Sequence, residues 1–478
     1  MNFASAKDLS LHLISSAFQR CRVSEDLCRL SAILRVSQAS DSPSARISMS
    51  DTGVGSCLEE FRDLKISMEA VSDEQWDGVL SVATTSVCDS EIYHYNFNLK
   101  ERVSARRLIR LPSKPKNGVK FSGTEISMSI FGSVDVLVGE IKLFFQKMLI
   151  LKIPNVAIEL VVEHKDLPAS RAECHFLANE SNPLPFSASN LERLKSGLGD
   201  YVLKHGNILS KQCHSCFQSL ENLKVGSGIA FRRESEKCTG MVMEVVITIS
   251  EISGPGCSSV TNCSATTEVL YFKDYSHCPI SPSSLKALTS IDWRSYGLTL
   301  GSVKEQVSNV IIEWEALPPH THIDIVLHLY HEQYPMVMIP STRLKTQLAH
   351  NLTKKAVKLA LDDLRDKHAG VLLSAHALKI RTYAPDLAKS ISGLILSSND
   401  SVFQEECLSL LGLQSQGVEG ETVEACIKEK IITAIEINDK KPHKSKDAAP
   451  FLFEDDSFQE PWLDEEHDGT DAFSPMDI

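Results

Sequence analysis

An acidic, glycine-containing turn is the stretch of this sequence best suited to recognising a small molecule. Asp51, Gly53 and Gly55 form an Asp-x-Gly-x-Gly pattern directly after an alternating run that ends at Met49. A carboxylate at a strand end accepts a hydrogen bond from an exocyclic amino group, which adenine offers. Glycines lack a Cβ, so the chain can turn sharply and approach a ligand closely. The same residue types are common in strand-exit turns, so the pattern alone equally predicts a plain turn.

A pair of cysteines is the second candidate for chemistry. Cys213 and Cys216, in the tetrapeptide CHSC, have zinc-knuckle spacing, but no second pair or His-x-x-x-His motif follows at a suitable distance, so a metal site is not expected. The thirteen cysteines are scattered and the N-terminus lacks the features of a secretory leader. We therefore expect reduced thiols in the nucleus or cytosol. Charged residues interrupt the most apolar stretch, 134–154, so no membrane span is expected.

Charge is concentrated at the C-terminal end. The chain has a formal net charge of −13, and residues 451–478 contain ten Asp or Glu residues with no Lys or Arg. Phe and Trp residues are set among these acids, which is typical of a disordered segment. Such a tail either keeps the protein soluble or docks on a basic partner.

The elements that must position the turn follow from hydrophobic periodicity. Leu9, Leu13, Ala17 and Cys21 share one face of an amphipathic first helix. Strands are expected at the sequences CRLSAILRVSQ, ARISMS, DSEIYHYNFNL, RRLIRL, VKFSGTEISMSIFG and VAIELVVE, with a turn at PSKPKNG and a helix from about 135 to 152 before the last of them. This order predicts an α+β sandwich of one helical layer on one sheet.

The order and spacing of two motifs resemble the Bergerat (GHKL) nucleotide-binding fold. This fold is shared by gyrase-type topoisomerases, a class of heat-shock chaperones, histidine kinases and MutL-like ATPases. About seventy residues after the acidic turn, Gly123 and Thr124 match the Gly-Thr pair that starts a strand beside the adenine pocket in that family. The resemblance implies that Asp51, Gly53 and Gly55 form the other side of a vestigial ATP site.

The resemblance also shows what this chain lacks. The family's first helix carries a catalytic Glu and, four residues later, a magnesium-binding Asn, and the corresponding positions here are His12 and Ser16. Hydrolysis needs a positioned base and a divalent ion, which these two residues do not both supply. The family's glycine-rich lid is represented by Gly78 alone between residues 58 and 87. We therefore expect no catalytic residue, no metal ligand and no cofactor other than a vestigial ATP and magnesium site.

Residues 268–300 resemble the transducer domain of the topoisomerase VI B subunit. Trp293, Arg294, Tyr296 and Gly297 match its Trp-Lys-x-Tyr-Gly motif, with Arg in place of Lys. By composition the Trp and Tyr favour core packing over a contact surface. The resemblance makes Lys345 the counterpart of the switch lysine that senses the terminal phosphate, and an exposed helical lysine is the alternative.

A long helix is expected from Arg343 to His368, because apolar residues recur every four positions from Leu344 to Leu364. Residues 165–235 are helical in character and mildly basic, and direct DNA binding there is left open. Beyond Leu396, further amphipathic stretches either bind a partner or fold back on the transducer.

The expected organisation has five parts. These are a degenerate Bergerat domain at 1–163, a helical linker or insert at 164–238, a transducer at 239–400, amphipathic C-terminal helices at 401–450 and a disordered acidic tail at 451–478.

Taken together, the chain resembles the meiotic topoisomerase VI B-like family of the plant type. The resemblance implies a nuclear, non-catalytic subunit that partners topoisomerase VI A-like transesterase subunits in a heterotetramer-like complex. That complex forms the DNA double-strand breaks of meiotic recombination, contacting DNA and accessory break-forming proteins. The alternatives are an active ATPase subunit whose N-terminal domain dimerises on ATP, and a mismatch-repair or chaperone relative.

Overall fold

The structure of the chain, a computed structural model, is organised around two large sheets. It describes residues 2–3, 5–37, 44–62, 64–66, 76, 78–101, 104–131, 134–164, 172–176, 184–209, 223–232, 240–251, 266–305, 310–317, 321–331, 342–368, 370–413 and 419–439. The cysteine pair at 213 and 216 and the acidic tail at 451–478 lie outside these residues.

The described residues of the first part of the chain, up to residue 176, form ten strands and four α-helices. The strands are β1 (Asn2–Phe3), β2 (Cys28–Ser37), β3 (Ser44–Asp51), β4 (Lys65–Ile66), β5 (Val79–Thr85), β6 (Glu91–Asn98), β7 (Leu108–Pro115), β8 (Gly123–Phe131), β9 (Val156–His164) and β10 (Ala172–Phe176). The helices are α1 (Ala6–Arg22), α2 (Glu59–Arg62), α3 (Ser104–Arg107) and α4 (Val134–Met148).

Eight of these strands form one sheet in the order β10-β9-β2-β3-β8-β5-β6-β7. Neighbours are antiparallel except β2 and β9, which run parallel. β1 and β4 form a separate two-stranded parallel sheet. Strand β3 lies in the interior of the sheet and ends at Asp51. The acidic turn therefore lies where the central strands end, between α1 and the ends of the neighbouring strands.

Helix α1 covers this sheet as the sequence predicts. The Ser5 side chain accepts a hydrogen bond from the Asp8 amide at 3.0 Å and thereby caps the helix N-terminus. The predicted stripe of Leu9, Leu13, Ala17 and Cys21 is fully buried and packs in one core with α4. Burial of the apolar face therefore fixes the rotation of α1 over the strands.

From residue 190 onward, the part of the chain that the structure describes contains seven strands and seven α-helices. The strands are β11 (Leu223–Arg232), β12 (Met241–Glu251), β13 (Thr266–Lys273), β14 (Ser276–His277), β15 (Thr299–Glu305), β16 (Val310–Ala316) and β17 (Thr321–His331). The helices are α5 (Asn190–Leu209), α6 (Pro282–Thr289), α7 (Thr342–Lys367), α8 (Ala375–Arg381), α9 (Ala384–Ser397), α10 (Ser401–Leu411) and α11 (Gly420–Asp439).

The second sheet has the order β11-β12-β17-β13-β16-β15, with β14 paired to β13. Its central strands are buried on both faces. On β17, Val326 belongs to the core of the first part, whereas Ile325 and Leu327 belong to the core beneath α7. Since successive strand residues point to opposite faces, the second sheet lies between the two cores and joins them.

The C-terminal helices pack on one another. Ala388 and Ile395 of α9 form a small core with Leu408 of α10 and with Val423 and Ile427 of α11. The Ser374 amide at the start of α8 donates to Asp439 at the end of α11 at 2.9 Å. The amphipathic face of α11 is thus used within the chain, which is the second of the two alternatives drawn from sequence.

The expected α+β class is confirmed, as a helix-on-sheet sandwich followed by a second sheet with a long helix. Two segments differ from expectation. β7 begins after Arg107 and continues through the residues expected to form a turn, because an edge strand tolerates prolines. The segment 164–238, expected to be a helical insert, contains β10 and β11 besides α5.

The remaining differences are smaller. α4 stops at Met148 and a 3₁₀ turn at Leu149–Leu151 follows, ended by Lys152 in the left-handed conformation with φ 44°. β5 is a strand that the sequence reasoning missed. Among the described helices, none is long and apolar enough to cross a membrane.

Candidate functional site

The acidic turn is held tightly against the body of the protein. The Thr52 amide donates to the Arg29 carbonyl at 3.1 Å, and the Arg29 amide donates to Thr52 Oγ1 at 2.9 Å. A Cβ at Gly53 would lie 2.4 Å from the carbonyl carbon of Arg20 in α1. A Cβ at Gly55, where φ is +86°, would lie 2.5 Å from the Thr85 carbonyl oxygen. Both glycines therefore serve close approach to the chain's own backbone.

The Gly-Thr pair lies directly beside the acidic turn. Thr124 is the register partner of Asp51 across the β3–β8 ladder, and a Cβ at Gly123 would lie 2.4 Å from the Asp51 carbonyl oxygen. Thr124 Oγ1 is 3.0 Å from Thr84 Oγ1, which also accepts from the Ser56 amide at 2.9 Å. The structure thus brings together all five residues that the resemblance assigned to an adenine pocket.

The carboxylate at the centre of this group is already occupied by protein donors. Asp51 Oδ2 accepts from Arg20 Nε at 3.0 Å and from Arg20 Nη2 at 2.7 Å. Asp51 Oδ1 accepts from the Gly53 amide at 3.1 Å. The Asp51 side chain has no exposed surface. Both oxygens therefore accept hydrogen bonds from the protein itself, in a position that offers no surface to a ligand.

Glu60 of α2 completes a buried charge triad. Arg20 Nη1 donates to Glu60 Oε1 at 2.5 Å, so one guanidinium bridges two carboxylates. Burial lowers the pKa of Arg20, but the charges and hydrogen bonds of Asp51 and Glu60 outweigh it and raise that pKa above its ordinary value. Arg20 thus remains charged in the interior. The triad fastens α1, β3 and α2 to one another.

The triad does not fit an adenine site. A base that is read by Asp51 must donate to a carboxylate oxygen, yet both oxygens already accept hydrogen bonds from Arg20 and Gly53. Displacing Arg20 would leave a guanidinium buried beside a desolvated base. The same residue types that would read adenine are used here to stabilise the end of the sheet.

The positions expected for the catalytic Glu and the magnesium-binding Asn are occupied by His12 and Ser16, both on α1. The His12 ring packs on Phe3 with 5.0 Å between centroids, and burial lowers the pKa of His12. Ser16 is half-buried on α1. Arg20 follows Ser16 by one helical turn and is the residue that reaches Asp51. Among the described residues, no cluster of three or more His, Cys, Asp or Glu could hold a metal ion.

Sequence reasoning missed Arg20 and Glu60. The available signal was the position of Arg20 on the buried face of α1, three residues after Ala17 and seven after Leu13. An arginine on the apolar stripe of an amphipathic helix needs a buried anion, because an unpaired charge is costly there. Asp51 was the nearest strand-end carboxylate that the sequence had already singled out.

The Trp-Arg-x-Tyr-Gly motif is a packing element, as its composition favoured. Trp293 is buried, donates from Nε1 to the Leu288 carbonyl at 3.0 Å, and lies edge-on to Trp314 with 5.1 Å between ring centroids. Tyr296 donates from its hydroxyl to Asp362 of α7 at 2.8 Å. Arg294 is exposed, and Gly297 ends the 3₁₀ turn with φ 72°. The motif therefore locks the second sheet to the long helix.

The predicted helix beginning near Arg343 is α7, and its stripe from Leu348 to Leu364 is buried against the second sheet. Lys345 lies in the first turn of α7, where the structure describes only the backbone. Its assignment as a phosphate-sensing lysine stays a prediction.

A polar cluster lies where the first part of the chain meets the second sheet. Glu244 Oε2 lies 3.3 Å from His328 Nδ1, and Glu244 Oε1 accepts from the Tyr330 hydroxyl at 3.0 Å. The guanidinium of Arg22 in α1 lies 4.2 Å above the centre of the Tyr275 ring. Gln19 Nε2 of α1 donates to the Asp274 carbonyl at 2.7 Å. These contacts tie the helix that carries Arg20 to the second sheet.

Comparison with known proteins gives two family matches. Residues 191–368 match the family described as MTOPVIB middle domain, and residues 376–440 match the one described as Meiotic topoisomerase VIB-like C-terminal domain. Together the two matches cover just over half of the chain. No curated protein matches the chain.

Two solved structures are similar over most of the chain. The B-subunit of DNA gyrase from Myxococcus xanthus is 10% identical, with 74% of this chain and 88% of that chain covered and a TM-score of 0.35. The ATPase and transducer domains of DNA topoisomerase II from Balamuthia mandrillaris are 12% identical, with 76% and 86% covered and a TM-score of 0.28.

The first family match contains α5, the second sheet and α7, and the second contains α8 to α11. The first match therefore includes the Trp-Arg-x-Tyr-Gly motif and the long helix to which Tyr296 is bonded, and the second includes the helical C-terminal cluster. On these two matches, the chain belongs to the meiotic topoisomerase VIB-like family.

Proposed function

We propose that this protein is a non-catalytic, nuclear B-like subunit of a meiotic topoisomerase VI-like complex. Its partner is the A-like transesterase that cuts DNA, and the assembled complex forms the double-strand breaks that initiate meiotic recombination. Family membership supports the class of complex, and the buried Arg20–Asp51–Glu60 triad supports a structural use of the former nucleotide site.

The triad is the observation that carries the non-catalytic assignment. An ATP-driven subunit must exchange nucleotide at every cycle, so its base-reading carboxylate has to become accessible. Here that carboxylate is fully buried and its partner is an arginine of the same core. Breaking a buried ion pair by removing one partner costs about 3–5 kcal/mol, so nucleotide entry here is disfavoured.

The C-terminal helices offer the surface for the A-like partner. Leu387 and Leu394 of α9 and Val402, Phe403 and Leu410 of α10 are exposed, although each helix also buries an apolar face. A cluster of large exposed apolar side chains on packed helices marks a protein contact. The rest of the chain, from α1 through the second sheet to α7, holds this surface at a fixed position relative to the first sheet.

Co-purification tests the partnership. The full-length chain is co-expressed with an A-like transesterase, and the complex is measured by size-exclusion chromatography with light scattering. Leu394→Asp combined with Leu410→Asp is expected to abolish the complex, because both side chains are strongly exposed and their loss spares the core. Phe231→Asp on β11 is the matched control, since Phe231 and Leu394 are both 70% exposed.

Two outcomes would contradict this proposal. Failure of the folded wild-type chain to bind any A-like transesterase removes the partnership. ATP turnover by the purified chain, or stabilisation by ATP and magnesium that Asp51→Asn abolishes while far-ultraviolet circular dichroism stays unchanged, would favour the ATP-dependent alternative instead.

A further inference from the structure

The outer strand of the first sheet combines an open edge with a basic and apolar surface. β7 is the last strand in the sheet order, and among the described residues its only strand partner is β6. Seven of its eight residues are exposed. Apart from Pro112 and Pro115, which have no N–H, the residues of this edge strand carry backbone N–H and C=O groups, and those that face away from β6 can pair with another extended segment.

Basic side chains are concentrated along this edge strand and the loop that follows it. Between Ser104 and Lys120 the sequence contains six Lys or Arg residues and no Asp or Glu. Arg106, Arg110, Lys114 and Lys120 are exposed. Glu91 of the neighbouring strand β6 accepts a hydrogen bond from the Ser113 hydroxyl at 2.6 Å. The edge therefore presents a positive field to solvent.

Apolar side chains are exposed along the same edge. Ile109 is 55% exposed, and Leu108 and Leu111 are also well exposed, with Val119 and Phe121 following in the next loop. Charged residues on an edge strand commonly prevent aggregation. If the charges served only to prevent aggregation, several large exposed apolar side chains would not be expected beside them, because such side chains favour association. The combination is typical of a docking edge for an extended segment of opposite charge that also carries large apolar residues.

The chain itself contains a segment of that chemistry. Residues 451–478 carry ten acids, no Lys or Arg, and the apolar side chains of Phe453, Phe458, Trp462, Leu463 and Phe473. We propose that residues 451–478 bind along the open edge of β7, with backbone hydrogen bonds to the strand, carboxylates against the basic side chains and aromatic residues on the apolar ones. This inference does not depend on nucleotide binding or on an A-like partner.

Amide hydrogen exchange of the full-length protein, followed by mass spectrometry at low salt, tests the proposal. A full-length variant with the ten acids of 451–478 replaced by Asn or Gln serves as the unbound reference. The amides of residues 108–115 are expected to exchange about tenfold more slowly in the wild-type chain than in this reference, because bound edges are protected. Peptides from β10, the opposite edge of the same sheet, are expected to exchange equally in both.

A reciprocal variant tests the basic side. Arg110→Glu combined with Lys114→Glu is expected to speed exchange within 451–478, whereas Lys355→Glu with Lys358→Glu, which changes the net charge equally on exposed positions of α7, is expected to leave it unchanged. Unchanged exchange in β5 and β6 shows that the reciprocal variant is folded. Protection that persists on dilution assigns the contact to one chain, and protection that is lost on dilution assigns it to a second copy.

Equal exchange of residues 108–115 in the wild type and the neutralised variant overturns the proposal, because the edge is then open in the full chain. An equal effect of the α7 control variant also overturns it, because bulk charge would then explain the result.

Discussion

Arg20 donates two hydrogen bonds to the same oxygen of Asp51, from Nε at 3.0 Å and from Nη2 at 2.7 Å. An acidic residue at the end of a central strand is thereby joined to the middle of the core rather than turned to a ligand. The geometry gives the Asp-x-Gly-x-Gly sequence a structural role in this chain. Its aspartate holds α1, Gly53 lets the turn lie close to that helix, and Gly55 lets it lie close to the end of β5.

Replacing Arg20 tests the structural use of this pair. Arg20→Met leaves Asp51 buried without its cation and is expected to lower the free energy of unfolding by about 3–5 kcal/mol. Urea unfolding followed by circular dichroism measures the change. Arg20→Met combined with Asp51→Leu is expected to cost less than the single change, because no buried charge at position 51 then remains unpaired.

Arg29→Met is the matched control for Arg20. Arg29 bonds to Glu159 from a side chain that is 64% exposed, so its loss is expected to cost about 1 kcal/mol or less. An Arg20→Met variant as stable as Arg29→Met would show that the buried triad is not a major source of stability.

Gly297 is expected to be irreplaceable for steric reasons. Its φ is 72°, and a Cβ there would lie 2.1 Å from the Leu373 carbonyl oxygen. Gly297→Ala is expected to destabilise the chain by at least about 2 kcal/mol, because both the backbone conformation and the space oppose a side chain. Differential scanning calorimetry measures this as a lower melting temperature.

Gly393→Ala provides the comparison for Gly297→Ala. Gly393 lies within α9, and a Cβ there meets no atom within 4 Å, so alanine is expected to stabilise the helix by about 0.5–1 kcal/mol. Equal destabilisation by both substitutions would contradict the steric explanation.

Acid pH is expected to weaken the junction between the two parts of the chain at His277. The His277 ring lies between Phe144 of α4 and Phe272 of β13, and burial, with the charge of Lys147 as a second cause, lowers the pKa of His277 to about 3. The unfolded chain keeps the ordinary pKa of 6.5. Below pH 6.5 the unfolded state therefore binds a proton that the folded state does not, so stability falls towards pH 3.

Urea unfolding at pH 7.5 and pH 5 measures this effect. The wild type is expected to lose up to about 2 kcal/mol more than His277→Gln between these two values. His376→Gln, an exposed change on α8, is expected to keep the wild-type dependence. An unchanged pH dependence in His277→Gln would mean that other groups cause the acid sensitivity.

Tyr296 is expected to couple the tryptophan-containing turn to the long helix. Its hydroxyl donates to Asp362 Oδ1 at 2.8 Å, and Asp362 is half exposed. Tyr296→Phe is expected to lower the free energy of unfolding by about 1 kcal/mol, which is typical of one hydrogen bond. In a double-mutant cycle with Asp362→Ala, the two losses are expected to be less than additive. Strict additivity would show that the hydrogen bond contributes nothing to this coupling.

The sequence predicted the scaffold of the site better than its chemistry. The pairing of Asp51 with Thr124 follows from two motifs on neighbouring strands, and α1 follows from a four-residue apolar period. The role of Arg20 did not follow in full, because its position on the buried face of α1 indicates that it needs an anion but does not say which carboxylate supplies it. The strand predicted from sequence ended before Pro112 and Pro115, whereas β7 includes both. Prolines are tolerated in an edge strand, and the position of a strand within the sheet is known only once the sheet is assembled.

Helix α7 lies directly on the backbone of β11. A Cβ at Gly228 would lie 2.1 Å from the Ala356 carbonyl oxygen, and a Cβ at Gly226 would lie 2.3 Å from that of Ala360. At these two glycines no side chain of β11 separates the strand from the helix. The 26-residue helix α7 is therefore packed closely on β11 and cannot easily slide along it. The helix, about 39 Å long at 1.5 Å per residue, is thus held at a fixed separation from the second sheet.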